Sequence, residues 1–214
     1  LNTNYGGILQ AFALQTVLEN MGHDVCVLEK STRKKMSCRL KDCVKTFLVK
    51  DEDRYLHEFK RNNINVRYFD SFSDAYTLNL EAIVVGSDQI WRPRYFNPIE
   101  TAYLDFSKGW KIKRIAYAAS FGTDNWEYTP EQTLSCAALA NSFEAISVRE
   151  DSAVSLCKDK FGIAASFVLD PTMLLRKEDY IQRLHLNEMS SNNGNLLVYL
   201  LDETPDKQKL VKAV

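Results

Sequence analysis

The chain has no hydrophobic run approaching the ~20 apolar residues that a spanning helix requires, and it carries no signal-peptide pattern. It has no excess charge of either sign: Lys and Arg number 27 and Asp and Glu 28. The basic balance of a nucleic-acid binder is therefore missing, and no nucleic acid is expected as a partner. Histidine is scarce. His23, His57 and His185 stand far apart with no metal-ligating spacing, so no metal site is expected beyond an ion held loosely by carboxylates. The five cysteines, at 26, 38, 43, 136 and 157, form an odd set with no Cys-x-x-Cys pair, which fits reduced thiols better than a disulfide framework. No segment repeats at a fixed period. These absences point to a globular cytoplasmic protein. An apolar share of 45% is ample for a core, and 214 residues make one large domain or one domain and part of another.

The most informative stretch present is Ile83-Val84-Val85-Gly86-Ser87-Asp88-Gln89-Ile90-Trp91. It opens as a short β-branched run, which suits a strand covered on both faces, and ends in a glycine followed by two polar residues. Ser87 and Asp88 thus stand where open α/β sheets bind ligands, beyond the carboxyl ends of their strands. Asp88 is the first candidate for chemistry. The alternative is that Ser87 and Asp88 cap a following helix.

Elsewhere the chain alternates strands and helices. Asn2 to Gly7 reads as the loop after a strand upstream of residue 1, so residue 1 is not expected to be a natural start. Ile8 to Met21 is amphipathic and stops at Gly22, and Val25 to Leu28 follows as a strand, in the order of a βαβ unit. The Gly6-Gly7 loop offers free N–H groups to an anion, but it lacks the Gly-x-Gly-x-x-Gly spacing of a dinucleotide site. Residues 33–50 form a basic amphipathic helix that either packs on its own domain or lies on an anionic membrane face. Residues 51–81 read as charged helix and loop. Thr129-Pro130-Glu131-Gln132 is a specific helix start.

Further strands are expected at 112–119, 145–150 and 166–169. With the strand at 83 they end at Asp88, Ser120, Arg149 and Asp170, which a parallel sheet aligns along one edge. Arg149 is the one cation among these tips, and its rigid fork suits a carboxylate or phosphate. A structural ion pair with Glu150, Asp151 or Asp170 is the alternative. Ser190 to Asn195 reads as a linker, Leu196 to Leu201 as a fresh strand, and a last helix starts near Pro205. The expected organisation is a domain over 1–189, a linker over 190–195, and the start of a second, truncated domain over 196–214.

Taken together, Asn4-Tyr5-Gly6-Gly7 with Leu9-Gln10-Ala11 and Ala13-Leu14-Gln15, Val85 to Trp91, Tyr117 to Gly122, Ser147-Val148-Arg149-Glu150 and Leu169-Asp170-Pro171-Thr172 resemble the polysaccharide pyruvyl transferase family. The resemblance implies an α/β fold: a Rossmann-like, doubly wound, mostly parallel sheet forming the N-terminal half of a GT-B-like two-domain enzyme. It implies transfer of pyruvate from phosphoenolpyruvate to sugar hydroxyls of a bacterial surface polysaccharide or its lipid-linked precursor. Phosphoenolpyruvate is then a donor substrate and no cofactor is expected. Arg149 would hold the anionic donor in a cleft between domains. The family's later Ser-Phe-His-Gly-type motif has no counterpart before residue 214.

On this reading Asp88 is the acid/base or orients the acceptor. Asn4, Tyr5, Gly6, Gly7, Ser87, Gln89, Trp91 and Ser120 join Arg149 in binding substrate. Trp91 and Tyr95 stack on sugar faces or pack internally. Membrane contact, if made, would use 33–50 at the inner face. The rivals are a GT-B glycosyltransferase using a nucleotide sugar and a non-catalytic binding module of a polysaccharide pathway.

Overall fold

A computed structural model of the chain describes residues 4–31, 51–186 and 204–213. The basic stretch 33–50, the linker 190–195 and the strand 196–201 lie outside the described residues. The chain divides into two compact units, Leu1–Arg176 and Lys177–Val214, a division that falls earlier than the boundary expected at 189.

The first unit is mixed α/β with parallel sheets, consistent with the Rossmann-like class. Helix α1 spans Tyr5–Asn20, three residues earlier than its hydrophobic periodicity alone indicates. Its start is set by Asn4, whose side chain accepts from the N–H groups of Gly6 (2.9 Å) and Gly7 (3.4 Å), so the glycines belong to the first helical turn and not to an open loop. The helix ends as expected at Gly22, whose φ is +92°. Strand β1 covers Val27–Lys30, shifted from the expected 25–28 because the Asn65 side chain takes the Val25 carbonyl (2.8 Å) and the Val27 N–H bonds to Asn65 (2.8 Å). Helix α2 (Asp51–Asn63) leads to β2 (Val66–Phe69), which pairs in parallel with β1. This second strand had no signal in the sequence: Val66-Arg67-Tyr68-Phe69 is too short and too polar to show a period. Glu29 of β1 pairs at 2.6 Å with the buried Lys60 of α2.

The main sheet holds β3 (Ala82–Val85), β4 (Lys113–Ala119), β5 (Ala145–Val148) and β6 (Ser166–Phe167), all parallel and adjacent in sequence order. Between them run α3 (Pro130–Ala140), opened by the expected Thr129 capping box, and α4 (Asp151–Leu156), which continues into a wider turn over Cys157–Phe161 and stops at Gly162. The core lies where α3 meets this wider turn and the short 3-10 helix Ile99–Tyr103. Trp91 and Tyr103 stack there with centroids 4.8 Å apart, and the Tyr103 and Tyr128 hydroxyls share a 2.7 Å hydrogen bond. Burial pushes the Cys136 and Cys157 thiols up to about 12. The second unit holds α5 (Lys177–Arg183) and α6 (Pro205–Ala213), the latter at the helix start expected near Pro205. No helix among the described residues is long and apolar enough to cross a membrane.

Candidate functional site at the strand ends

The chain leaves β3 through Gly86, whose φ is +126° and whose backbone packs on the Tyr117 carbonyl so closely that an added Cβ would collide with it. Only glycine fits. The Gly86–Ser87 peptide is cis, and Asp88 has φ +47°. No helix follows directly, since the next one begins at Ile99, so Ser87 and Asp88 are not helix caps. Instead the Asp88 carbonyl accepts from the Ser120 N–H and the Ser120 carbonyl accepts from the Trp91 N–H, both at 3.1 Å. The ends of β3 and β4 are thereby stitched together. The Ser87 hydroxyl is buried with no hydrogen-bond partner among the described residues.

Strand β4 reaches this junction through a bulge. Its register against β5 shifts between Ala116 and Ala119, and Ala118 takes φ +51°. Ser147 of β5 fills the gap, donating to the Ala116 carbonyl and accepting from the Ala118 N–H, each at 3.1 Å. A bulge beside a site is a common device for re-aiming the following side chain. Here it delivers Ser120, fully buried, to the carboxylate of Glu150.

Arg149, just past β5, is the hub. Its Nη1 lies 3.2 Å from Asp170 Oδ2, its Nε 3.4 Å from Glu150 Oε1, and its Nη2 3.5 Å from Asp88 Oδ1. The three acids are held differently. Asp170 accepts from Gln10 of α1 (2.5 Å) and from the Thr172 N–H (3.0 Å) and hydroxyl (2.8 Å). Burial would raise its pKa, but the bonds from Thr172, Gln10 and Arg149 outweigh burial and hold the carboxyl below its ordinary value. Glu150 Oε1 is fixed by the Ser120 hydroxyl, while its Oε2 is buried without a partner among the described residues. The Asp88 side chain is 50% exposed, and its ion pair with Arg149 is the longest of the three. Burial, and secondarily the nearby Asp170, push the Tyr117 phenol up.

The sequence-level candidates thus separate. Asp88, Ser120 and Arg149 converge, and Ser87 is adjacent. Trp91 is fully buried on Tyr103, with its indole N–H directed at the Ala102 carbonyl (3.4 Å), so its ring offers no face to a sugar. Gln89 accepts from Arg92 (3.1 Å) and packs against Gly122. Tyr95 is exposed, with the Arg92 guanidinium 5.0 Å from its ring centre. The N–H groups of Gly6 and Gly7 are already taken by Asn4, which removes the anion cradle expected of them. Tyr5 is exposed, and among the described residues none of Asn4 to Gly7 bonds to the Arg149 cluster. Helix α1 contributes through Gln10 instead. Gln10, Glu150 and Ser147 were not singled out from the sequence as site residues. All three stand within the strings that carry the family resemblance, and the sequence offers Glu150 only as an ion-pair partner of Arg149.

A model of the family described as polysaccharide pyruvyl transferase matches residues 4–206 of the chain. Comparison with curated proteins returned no match, and neither did comparison with solved structures.

Proposed function

The chain belongs to the polysaccharide pyruvyl transferase family, a family of transferases, and on that premise we propose that it moves pyruvate from phosphoenolpyruvate to two hydroxyls of a saccharide, forming a ketal. The observation that carries this reading is the Arg149 guanidinium at the sheet edge with the half-exposed Asp88 carboxylate beside it. Phosphoenolpyruvate brings a carboxylate and a phosphate, both suited to the guanidinium fork. Ketal formation needs a base for the attacking hydroxyl and an acid for the vinyl carbon. Asp88 takes the proton from the first hydroxyl as its oxygen bonds to C2, and that proton ends on the methylene carbon, which becomes methyl. The C2–O bond to phosphate then breaks, the second hydroxyl bonds to C2, and its proton leaves with the phosphate. Asp170 and Glu150 hold Arg149 in place throughout.

The GT-B-like pairing of two domains, a lipid-linked acceptor, a cytoplasmic location and contact of 33–50 with the inner membrane face belong to the same proposal and rest on the resemblance and the sequence. The test is a paired assay: phosphate release from phosphoenolpyruvate with a sugar acceptor, set beside nucleotide release from a UDP-sugar. Phosphate release alone supports the proposal. Nucleotide release alone makes the protein a glycosyltransferase, and neither product makes it a binding module.

A further inference from the structure

We infer that Asp88 is a displaceable internal occupant of the anion site on Arg149: its carboxylate stands where the donor's carboxylate binds, and donor entry drives it off. The inference rests on the donor reading above. Three carboxylates face one guanidinium, so the cluster itself carries two net negative charges, a poor receptor for an anionic donor as it stands. For an anion to reach Arg149, one acid must give way. Asp170 is tied by Gln10 and twice by Thr172, and Glu150 by the buried Ser120. Among the described residues Asp88 makes no other side-chain hydrogen bond, and it has the longest contact to Arg149 and is the most exposed of the three. It is the acid that leaves.

Displacement couples binding to chemistry. Once the donor takes Nη2, the freed carboxylate lies beside the new reactant, where it meets the attacking hydroxyl. The buried hydroxyl of Ser87, one residue away and without a partner among the described residues, offers an incoming polar group a further bond.

The two roles make opposite demands on one residue, and that is the test. Calorimetry with phosphoenolpyruvate, and separately with inorganic phosphate, is run on the wild-type protein and on Asp88→Ala and Asp88→Asn, with melting temperature as a folding check. Both variants are expected to bind phosphoenolpyruvate more tightly than wild type, by about two- to fivefold, the scale of one partly exposed charge pair, while turnover falls. Unchanged or weaker anion binding in the folded variants overturns the inference. If no form binds phosphoenolpyruvate but Asp88→Ala gains affinity for phosphate, the donor reading fails and the displaceable acid stands. If neither anion gains affinity on Asp88→Ala, the displaceable acid fails whatever the donor is.

Discussion

The buried hydroxyl of Ser120 donates to Oε1 of Glu150, the same oxygen that receives Arg149 Nε, so the end of β4 orients the cation at the end of β5 through one shared acceptor. The Ser120 oxygen also accepts from the Gly122 N–H at 2.9 Å. Ser120→Ala should therefore cost about 1–3 kcal/mol of stability, the penalty for leaving a buried polar group unpaired, and should weaken donor binding as well. Urea unfolding and calorimetry measure the two effects. Ser120→Thr should restore part of both if the hydroxyl is responsible.

Asp88→Asn should lower kcat by on the order of a hundredfold, because acid-base catalysis typically supplies 10²- to 10⁴-fold. Steady-state kinetics on the folded variant decide it. Near-normal turnover would leave Asp88 without a role in proton transfer.

Arg149→Lys keeps the charge and loses the fork. The lysine ammonium cannot meet Asp170, Glu150 and a donor at three separate nitrogens, so donor binding should weaken by about 1–3 kcal/mol with the fold retained. Unchanged phosphoenolpyruvate affinity by calorimetry would reduce Arg149 to an internal ion pair.

Trp91 should matter for stability and not for recognition. Trp91→Ala should cost about 3–5 kcal/mol, the range for emptying a buried large aromatic. Trp91→Phe should lower the melting temperature while leaving KM for the acceptor unchanged. A change in KM with unchanged stability would return Trp91 to the binding surface.

Asp170 gives the site a defined acid limit. Its folded pKa lies below the unfolded value of about 3.9, so the stabilisation is fully present above that value and is lost as pH falls through the folded pKa. Asp170→Asn should therefore destabilise the protein at neutral pH, and the gap between variant and wild type should narrow as pH drops below about 4. Denaturant melts at pH 7 and pH 3 would show it, and a gap independent of pH would contradict it.

What the sequence determined by itself is the set of strand tips and their order. The short β-branched runs, the Thr129 capping box and the stop at Gly22 depend on neighbours a few residues away, so period and turn chemistry reveal them. Once β3 to β6 are parallel, Asp88, Ser120, Arg149 and Asp170 must fall on one edge. Tertiary structure alone decided what those tips do to one another. Gln10 meets Asp170 across 160 positions of chain, and Ser120 meets Glu150 across 30, separations over which no periodicity carries information. Which exposed-looking aromatic is buried follows the same rule: Trp91 and Tyr95 are four residues apart in one irregular loop, and only packing against Tyr103 sends the first inside while the second remains in solvent. Gly6 and Gly7 were legible as backbone donors, but Asn4 folding back on them decided that the donors are spent within the helix. Local rules place the groups; packing decides which of them are free to meet a ligand.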